Sequence, residues 1–432
     1  MKVGIVADDF TGAADSSAQL LNAGFSVHIA LAGLNPRDLA LLREQADVVV
    51  FDTESRDIAP EGAYEAVRAA LAPLAEEFES IRLYKKVDST MRGNIGMELK
   101  AAIDTYRPAF TLFAPAFIEA GRTTEKGVQL LNGVRLEQTE LAHVPNSAVT
   151  TSDIAAILNR DTAIDCELLG TDLLERGEQA VIEAIDARLR EGKRFFICDA
   201  TAKAHLETAA RAACVFRRAL LAGSAGLADA MVAAFGRRVP APVSVSASRL
   251  LILAGSISAV TRGQTNRFLG CRKARLVRID AARAVLDPEG AAADVVAAVS
   301  ASRADRVVLV SAALTEEDVE LSRRTAASAG MKFSEAGTRV AHVMSLIASR
   351  CAADFDAFVM TGGDTAIHAC GSMNTPIVQV LGQVQQGVPI CRIASGPFAG
   401  RTLITKAGAF GNPDVFVQAY DTLFEGGKSR ED

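Results

Sequence analysis

Short apolar runs alternate with helix-length amphipathic segments along most of the chain, and nearly every run ends in polar or glycine residues. In the first half the strand-like runs are 2–7, 26–31, 48–52, 81–85, 110–114, 194–198 and 219–222. Helical periodicity lies between most of them, as at 61–78, 95–106 and 178–190. Such alternation predicts an α/β protein with mostly parallel sheets. The segment around 121–123, rich in Pro and Phe on its N-terminal side, reads as irregular. Residues 236–248, GRRVPAPVSVSAS, break the rhythm with two prolines and no long apolar face. A second series follows, with strands at 250–254, 274–279, 306–310, 357–360 and 376–380 and helices at 261–268, 291–302, 338–352 and 365–371. The expectation is two α/β lobes with an interlobe cleft: domain 1–238, linker 239–248, domain 249–432.

Length agrees with that division, since 432 residues correspond to two or three domains at about 100–200 residues each. A hydrophobic share of 49% is ample for buried cores. The net charge of −6 gives no broad footprint for nucleic acid or an anionic membrane. The cysteines number seven, an odd count, with no CxxC pair; they read as buried thiols rather than disulfides or a zinc site. The opening apolar run stops at two aspartates, unlike a signal peptide, and no stretch approaches about 18 apolar residues. A soluble cytoplasmic protein is expected, and assembly into a homo-oligomer is left open.

Each strand end in the first half then carries chemistry. Strand 2–7 runs into Asp8-Asp9-Phe10-Thr11-Gly12-Ala13-Ala14-Asp15, three acids and a threonine within eight positions. A helix cap needs one such residue, so the excess points to a polar ligand at the carboxyl end of a strand. Thr53-Glu54-Ser55-Arg56 follows the third run, and Lys85-Lys86-Val87-Asp88-Ser89-Thr90-Met91-Arg92-Gly93-Asn94 follows the fourth. Gly121-Arg122-Thr123 is a further polar string. Arg and Lys supply charge-assisted donors for a carboxylate or phosphate, while Asp, Ser and Thr bind vicinal hydroxyls. The combination suits a small hydroxy acid.

The second half offers glycine turns between strand and helix. Gly255-Ser256-Ile257-Ser258 follows one apolar run, and Thr361-Gly362-Gly363-Asp364-Thr365 follows another. Paired glycines let backbone approach a phosphate, and the next helix presents free N–H groups. Lys406-Ala407-Gly408 adds a lysine and another close approach. There is no GxxxxGK[ST] loop and no GxGxxG after the first strand. The adjacency of Asp8 and Asp9 also departs from the Asp-x-Asp spacing of aspartyl-phosphate phosphatases.

Taken together, ADDFTGAAD, TESR, KKVDSTMRGNIG, GRTTEKG, AGSAGLA, AGSISAVTRGQ, TGGDTA and KAGAFG resemble the four-carbon acid sugar kinase family over nearly the whole chain. The resemblance implies an N-terminal domain for the sugar acid, a C-terminal domain for ATP, and phosphoryl transfer to the terminal hydroxyl of threonate, erythronate or a 3-oxo-tetronate. It implies acid-sugar contacts at Asp9, Arg56 and Lys86–Ser89 (Lys86, Val87, Asp88, Ser89), with Arg92, Asp8 and Thr11 beside them. It implies ATP contacts at Ser256 or Ser258, at Gly362, Gly363, Asp364 and Thr365, and at Gly408, to which Gly255 and Lys406 are added from the turns themselves. Asp364 stands where the family often has Glu, and residues 382–389 lack an acid often seen there.

The expected cofactors are ATP and Mg²⁺, with no metal ligand assigned. Asp9 is expected to orient or deprotonate the attacked alcohol, with Asp88 and Asp15 as rivals. A sugar-acid isomerase or dehydratase and a non-catalytic binder are the alternatives, and neither needs turnover of ATP.

Overall fold

The structure, a computed structural model, describes residues 2–31, 34–143, 149–236, 244–408 and 410–425. The chain divides into two compact units, one formed by residues 1–29 and 39–241 and the other by 30–38 and 242–432.

In the first unit the strands are β1 (Lys2–Ala7), β2 (Val27–Ala30), β3 (Val48–Asp52), β4 (Ile81–Lys86), β5 (Phe110–Ala114), β6 (Arg122–Glu125), β7 (Val128–Leu131), β8 (Val134–Arg135), β9 (Cys166–Leu169), β10 (Phe195–Cys198) and β11 (Ala219–Gly223). Their sheet order is β2-β3-β1-β4-β11-β5-β10-β9. Every pair from β3 to β9 is parallel. β1 lies between β3 and β4, so the chain leaves it to opposite sides of the sheet. That reversal opens a crevice beyond the carboxyl end of β1, where Asp8 and Asp9 stand.

Strands covered on both faces read as continuous apolar runs. One face of β1, β4 and β11 packs Val6, Leu83 and Leu220 against the helices Pro60–Leu71 and Ile95–Tyr106. A second cluster joins Phe113 and Ala222 of the sheet to Val87, Met91, Ile95, Leu99, Ile154 and Leu158.

The second unit carries β12 (Leu250–Ala254), β13 (Arg275–Arg278), β14 (Val307–Ser311), β15 (Ala357–Thr361), β16 (Ile377–Gln385), β17 (Val388–Ile393) and β18 (Thr402–Lys406). Their order is β13-β14-β12-β15-β18-β17-β16, parallel from β13 to β18 and antiparallel through β17 and β16. Here β12 is the reversal strand, flanked by β14 and β15. Its core joins Leu250, Ile252, Leu309, Val359 and Ile404 to Phe268, Phe416 and Leu423.

Several elements depart from the periodicity. The helix expected over 61–78 stops at Leu71 and continues as a 3₁₀ segment, Ala72–Glu77, because Pro73 cannot supply the next N–H. The segment read as irregular is a three-stranded antiparallel sheet, β6-β7-β8. Its two turns, Lys126-Gly127 and Asn132-Gly133, have positive φ at both positions, the geometry that joins antiparallel strands with two residues. The run at 376–380 extends to Gln385 and doubles back as β17 across Gly387. Most of the expected linker, 239–243, lies outside the described residues. Its end belongs to the second unit, where Val245 and Ala247 pack on the core and Ala247 N–H donates to Leu423 O at 2.9 Å. Residues 30–38 group with that unit as well; Leu31 N–H donates to Pro376 O at 2.9 Å. Nothing in composition marks that excursion. All seven cysteines are free.

Gly96, in the helix Ile95–Tyr106, permits a backbone contact that no other residue would. A Cβ there would sit 2.2 Å from Leu158 O. Alanine normally favours a helix over glycine by about 1 kcal/mol. Here Gly96→Ala is expected to destabilise the first unit by about 1–3 kcal/mol through overpacking, measured as a lowered urea midpoint. A raised midpoint would show that the contact yields freely.

Candidate active site

Beyond β1, Asp9 is the N-cap of the helix Phe10–Asn22: its backbone is extended and Oδ1 accepts from Gly12 N–H at 2.7 Å. Gly12 is needed there, because a Cβ would lie 2.7 Å from Asp9 Oδ1 and 2.9 Å from Lys86 Nζ. Arg56, delivered by the turn after β3, clamps both carboxylates. Its Nε donates to Asp8 Oδ2 at 2.8 Å and its Nη1 to Asp9 Oδ2 at 2.6 Å. Lys86 ends β4 and donates to Val87 O at 2.9 Å. Asp88 accepts from Thr90 Oγ1 at 2.6 Å and Arg92 Nε at 2.5 Å.

Under this cluster lies an ion pair absent from the sequence reading. Lys85 Nζ meets Glu98 Oε2 at 2.9 Å, with both side chains almost wholly buried. Glu98 Oε1 accepts from Ser55 Oγ at 2.7 Å, and Ser55 Oγ lies 2.7 Å from Thr53 Oγ1. Asn94 Nδ2 donates to Ser55 O at 2.9 Å and Ile58 O at 2.8 Å. These bonds fix the turn that aims Arg56. The loop after β4 also holds Met91 at φ +60° and Gly93 at φ +93°. A buried Met in the left-handed region costs about 1–3 kcal/mol and persists where its surroundings over-determine it.

The three carboxylates differ in proton affinity. Burial pushes Asp8 up, yet Arg56, Lys85 and Lys86 outweigh it and its pKa falls below the ordinary carboxylate value. Burial also raises Asp88, and Arg56 and Arg92 more than reverse that, holding it well below the usual range. Asp9 moves the other way: burial and the neighbouring Asp8 charge raise it more than Arg56 and Lys86 lower it. Its side chain is also the most reachable of the three, 22% exposed against 2% for Asp8 and 11% for Asp88. Burial, then the Glu54 carboxylate, raise Asp52 well above its ordinary value, with Asp9 adding to the shift.

Of the residues expected around the sugar acid, Asp8, Asp9, Arg56, Lys86, Asp88 and Arg92 form this one linked cluster. Val87 is buried in the core and contributes only backbone, and Ser89 offers a carbonyl bonded by Gln129 Nε2 at 2.8 Å. The side chains of Thr11 and Asp15 lie outside the described residues. Asn94 closes the polar string after β4 and serves by holding the turn after β3, whereas Glu98 lies beyond that string and no motif marks it.

In the second unit a cavity of about 490 Å³ opens at the reversal strand, lined by Gly255, Ser256, Gly362, Thr365 and Gly408 together with Phe333, Gly337 and Val340. The glycines are close-packed turns. A Cβ on Gly255 would lie 2.7 Å from Thr365 Oγ1, and one on Gly408 would lie 2.3 Å from Ser256 Oγ. Gly362, at φ +96°, precedes the helix Gly363–Ser372. Ser258 is spent elsewhere: its Oγ caps the helix Ala259–Cys271 through Thr261 N–H at 3.1 Å and donates to Gly408 O at 2.7 Å. The Asp364 side chain lies outside the described residues.

Lys406, expected to reach phosphates directly, points behind the turn instead. Its buried ammonium bonds Ala407 O at 3.0 Å, Gly408 O at 3.2 Å and Thr261 Oγ1 at 3.1 Å, holding the Gly408 strand end in place. Burial lowers its pKa to about 8.

Comparison with known proteins accords with this pairing of sites. Residues 3–231 match the family model of a sugar-binding N-terminal domain, and residues 251–416 that of a nucleotide-binding C-terminal domain. D-threonate kinase of Salmonella typhimurium is 33% identical over 97% of both chains. The chain belongs to the four-carbon acid sugar kinase family. D-erythronate kinase of Heliobacterium modesticaldum is 29% identical, over 97% of this chain and 96% of that protein. The crystal structure of Haemophilus influenzae protein HI1011 has the same fold, with a TM-score of 0.81 at 22% identity over 98% of this chain and 100% of that one. The protein is therefore an ATP-dependent kinase of this family, and the isomerase, dehydratase and binder readings fall away. No helix among the described residues is long and apolar enough to cross a membrane.

Two outcomes test the electrostatics. Glu98→Gln is expected to destabilise the first unit by about 3–5 kcal/mol, because it strands the Lys85 charge. Lys85→Met/Glu98→Leu together is expected to lose much less; equal losses in urea unfolding would show that the two charges are not coupled. In the second unit, the unfolded chain binds the Lys406 proton up to about pH 10.5 and the folded chain only to about pH 8. Stability therefore gains a rising contribution across that window. Lys406→Met is expected to flatten that rise in unfolding free energy; an unchanged slope would assign it to other groups.

Proposed function

We propose that the enzyme transfers the γ-phosphoryl group of ATP to the terminal hydroxyl of a four-carbon sugar acid (threonate, erythronate or a 3-oxo-tetronate), forming the 4-phosphate. The Arg56 clamp on Asp8 and Asp9 carries this reading. It sets a charged, reachable carboxylate of raised proton affinity beside cationic groups at the mouth of a switch-point crevice. Asp9 takes the proton of the attacking hydroxyl as the new O–P bond forms, and the bond from the γ-phosphorus to the bridging oxygen breaks to release ADP. Asp88, held strongly acidic by Arg56 and Arg92, is a poor base and serves as a hydroxyl acceptor. Lys86 and Arg92 balance the anionic charge of the substrate.

In the second unit, Gly255, Gly362 and Gly408 bring backbone to the phosphates, and Ser256 and Thr365 offer hydroxyls. The apolar side of the same cavity, with Phe333 and Val340, suits the base. Positioning and charge stabilisation supply most of the catalysis in such transfers. Mg²⁺, when bound, neutralises charge on the phosphates. Among the described residues no three His, Cys, Asp or Glu side chains gather to hold a metal; the Ser256 and Thr365 hydroxyls on this cavity are the groups that would contact the ion or its waters.

A coupled ADP-release assay across D- and L-threonate, D- and L-erythronate and their 3-oxo forms is expected to give turnover on at least one. Activity on none would overturn the substrate class. Asp9→Asn is expected to lower kcat about 10²- to 10⁴-fold with the urea midpoint unchanged, whereas retention of full kcat would remove Asp9 as the base. With the raised proton affinity of Asp9, activity is expected to fall on the acid side at a higher pH than an ordinary carboxylate would give. Gly408→Val is expected to raise the KM for ATP while leaving that for the acid in place.

A further inference from the structure

Beside the Arg56 clamp, within the first unit, is a separate cavity of about 210 Å³. Its volume is that of about seven waters, the bulk of a small polyhydroxy acid and not of a nucleotide. Arg56, Arg92 and Arg160 line it, together with Asn94, Thr150 and Thr151, and among the described residues no carboxylate does. Two of the arginines have prior commitments. Arg56 gives Nε and Nη1 to Asp8 and Asp9, and Arg92 gives Nε to Asp88. Arg160 differs. Its Nη2 reaches Gly93 O at 3.3 Å, which seats it at the rim beside the strained loop, and its ion pair is an exposed one with the adjacent Asp161 at 2.9 Å. Exposed pairs of this kind are weak and readily exchanged for a better anion. A guanidinium held by one long bond to a backbone carbonyl and one exposed ion pair can turn its fork to the two oxygens of a carboxylate.

We propose that Arg160, with Arg92, is the carboxylate-recognising end of the sugar-acid site, and that Arg56 bridges that end to Asp9. The inference rests on the substrate class proposed above and deepens it. The acid group lies in the cavity against Arg160 and Arg92, the chain of hydroxyls passes Asp88 and Arg56, and the terminal hydroxyl reaches Asp9. Specificity for an acid over the corresponding neutral tetritol then resides in a residue that follows the short helix Ile154–Leu158, far in sequence from every motif of the site.

The test uses the full-length enzyme with the tetronate best turned over, or failing turnover the whole tetronate panel, in two measurements. Calorimetry without nucleotide reads acid binding directly, and the coupled assay reads KM and kcat for the acid and for threitol or erythritol. Arg160→Met is expected to weaken binding of the acid about tenfold or more. It should shrink the preference for acid over tetritol by a similar factor, with kcat and the KM for ATP little changed. Arg160→Lys should recover part of the loss. Ala156→Trp, an exposed lining position, should block the acid by filling the cavity while all three arginines are retained. Unchanged acid affinity and unchanged acid preference in Arg160→Met would overturn the proposal while leaving the kinase reading intact. A wild-type enzyme that binds tetronates without phosphorylating them would sink the substrate reading, and Arg160 would still be judged by its effect on that binding. No binding of any tetronate would sink both.

Discussion

The buried pair of Lys85 and Glu98 is the constraint on which the first site depends. Neither charge reaches water, so each holds the other in place, and Glu98 spends its second oxygen on Ser55. That bond fixes the turn after β3, the turn aims Arg56, and Arg56 aims Asp8 and Asp9. A chain of this kind ties the floor of the sheet to the carboxylate facing solvent through four side chains. Buried ion pairs are poor sources of stability in themselves. What this one contributes is a single orientation for the groups above it.

Both units solve the problem of ligand placement in the same way. In each, one strand is flanked by two later strands on its opposite sides in the sheet, β1 in the first and β12 in the second. The crevice beyond such a strand is open because the connections diverge from it. The first crevice is furnished with charges and the second with glycines. A hydroxy acid needs matched donors and acceptors, and a triphosphate needs backbone at close range. The difference in residue type follows from the difference in ligand.

Much of this was legible before any coordinates. Continuous apolar runs marked β1, β3, β5 and β12 to the residue, since strands buried on both faces carry no polar alternation to blur their ends. Asp8, Asp9, Arg56 and Asp88 stood out because acids and bases crowd the ends of those runs. The small β6-β7-β8 sheet escaped because its strands are short and half-exposed, although Asn132-Gly133 is a hairpin turn in plain sight. Lys406 shows what sequence does not distinguish: a lysine after a strand can project forward to a ligand or, as here, fold back onto the carbonyls of its own turn. Glu98 was silent because it sits on the helix after the loop with no spacing that marks its pairing with Lys85, and Arg160 because the Gly93 loop lies far away along the chain.

The contact of Gly96 with the Leu158 carbonyl bears on how such an enzyme can diversify. It joins the helix behind the arginine loop to the segment carrying Arg160 through main-chain atoms alone. The spacing of the two walls is thereby independent of which side chains they bear. Drift in the lining can alter which stereoisomer is preferred, but it cannot widen the chamber. A relative that took a longer acid would first have to break that seam.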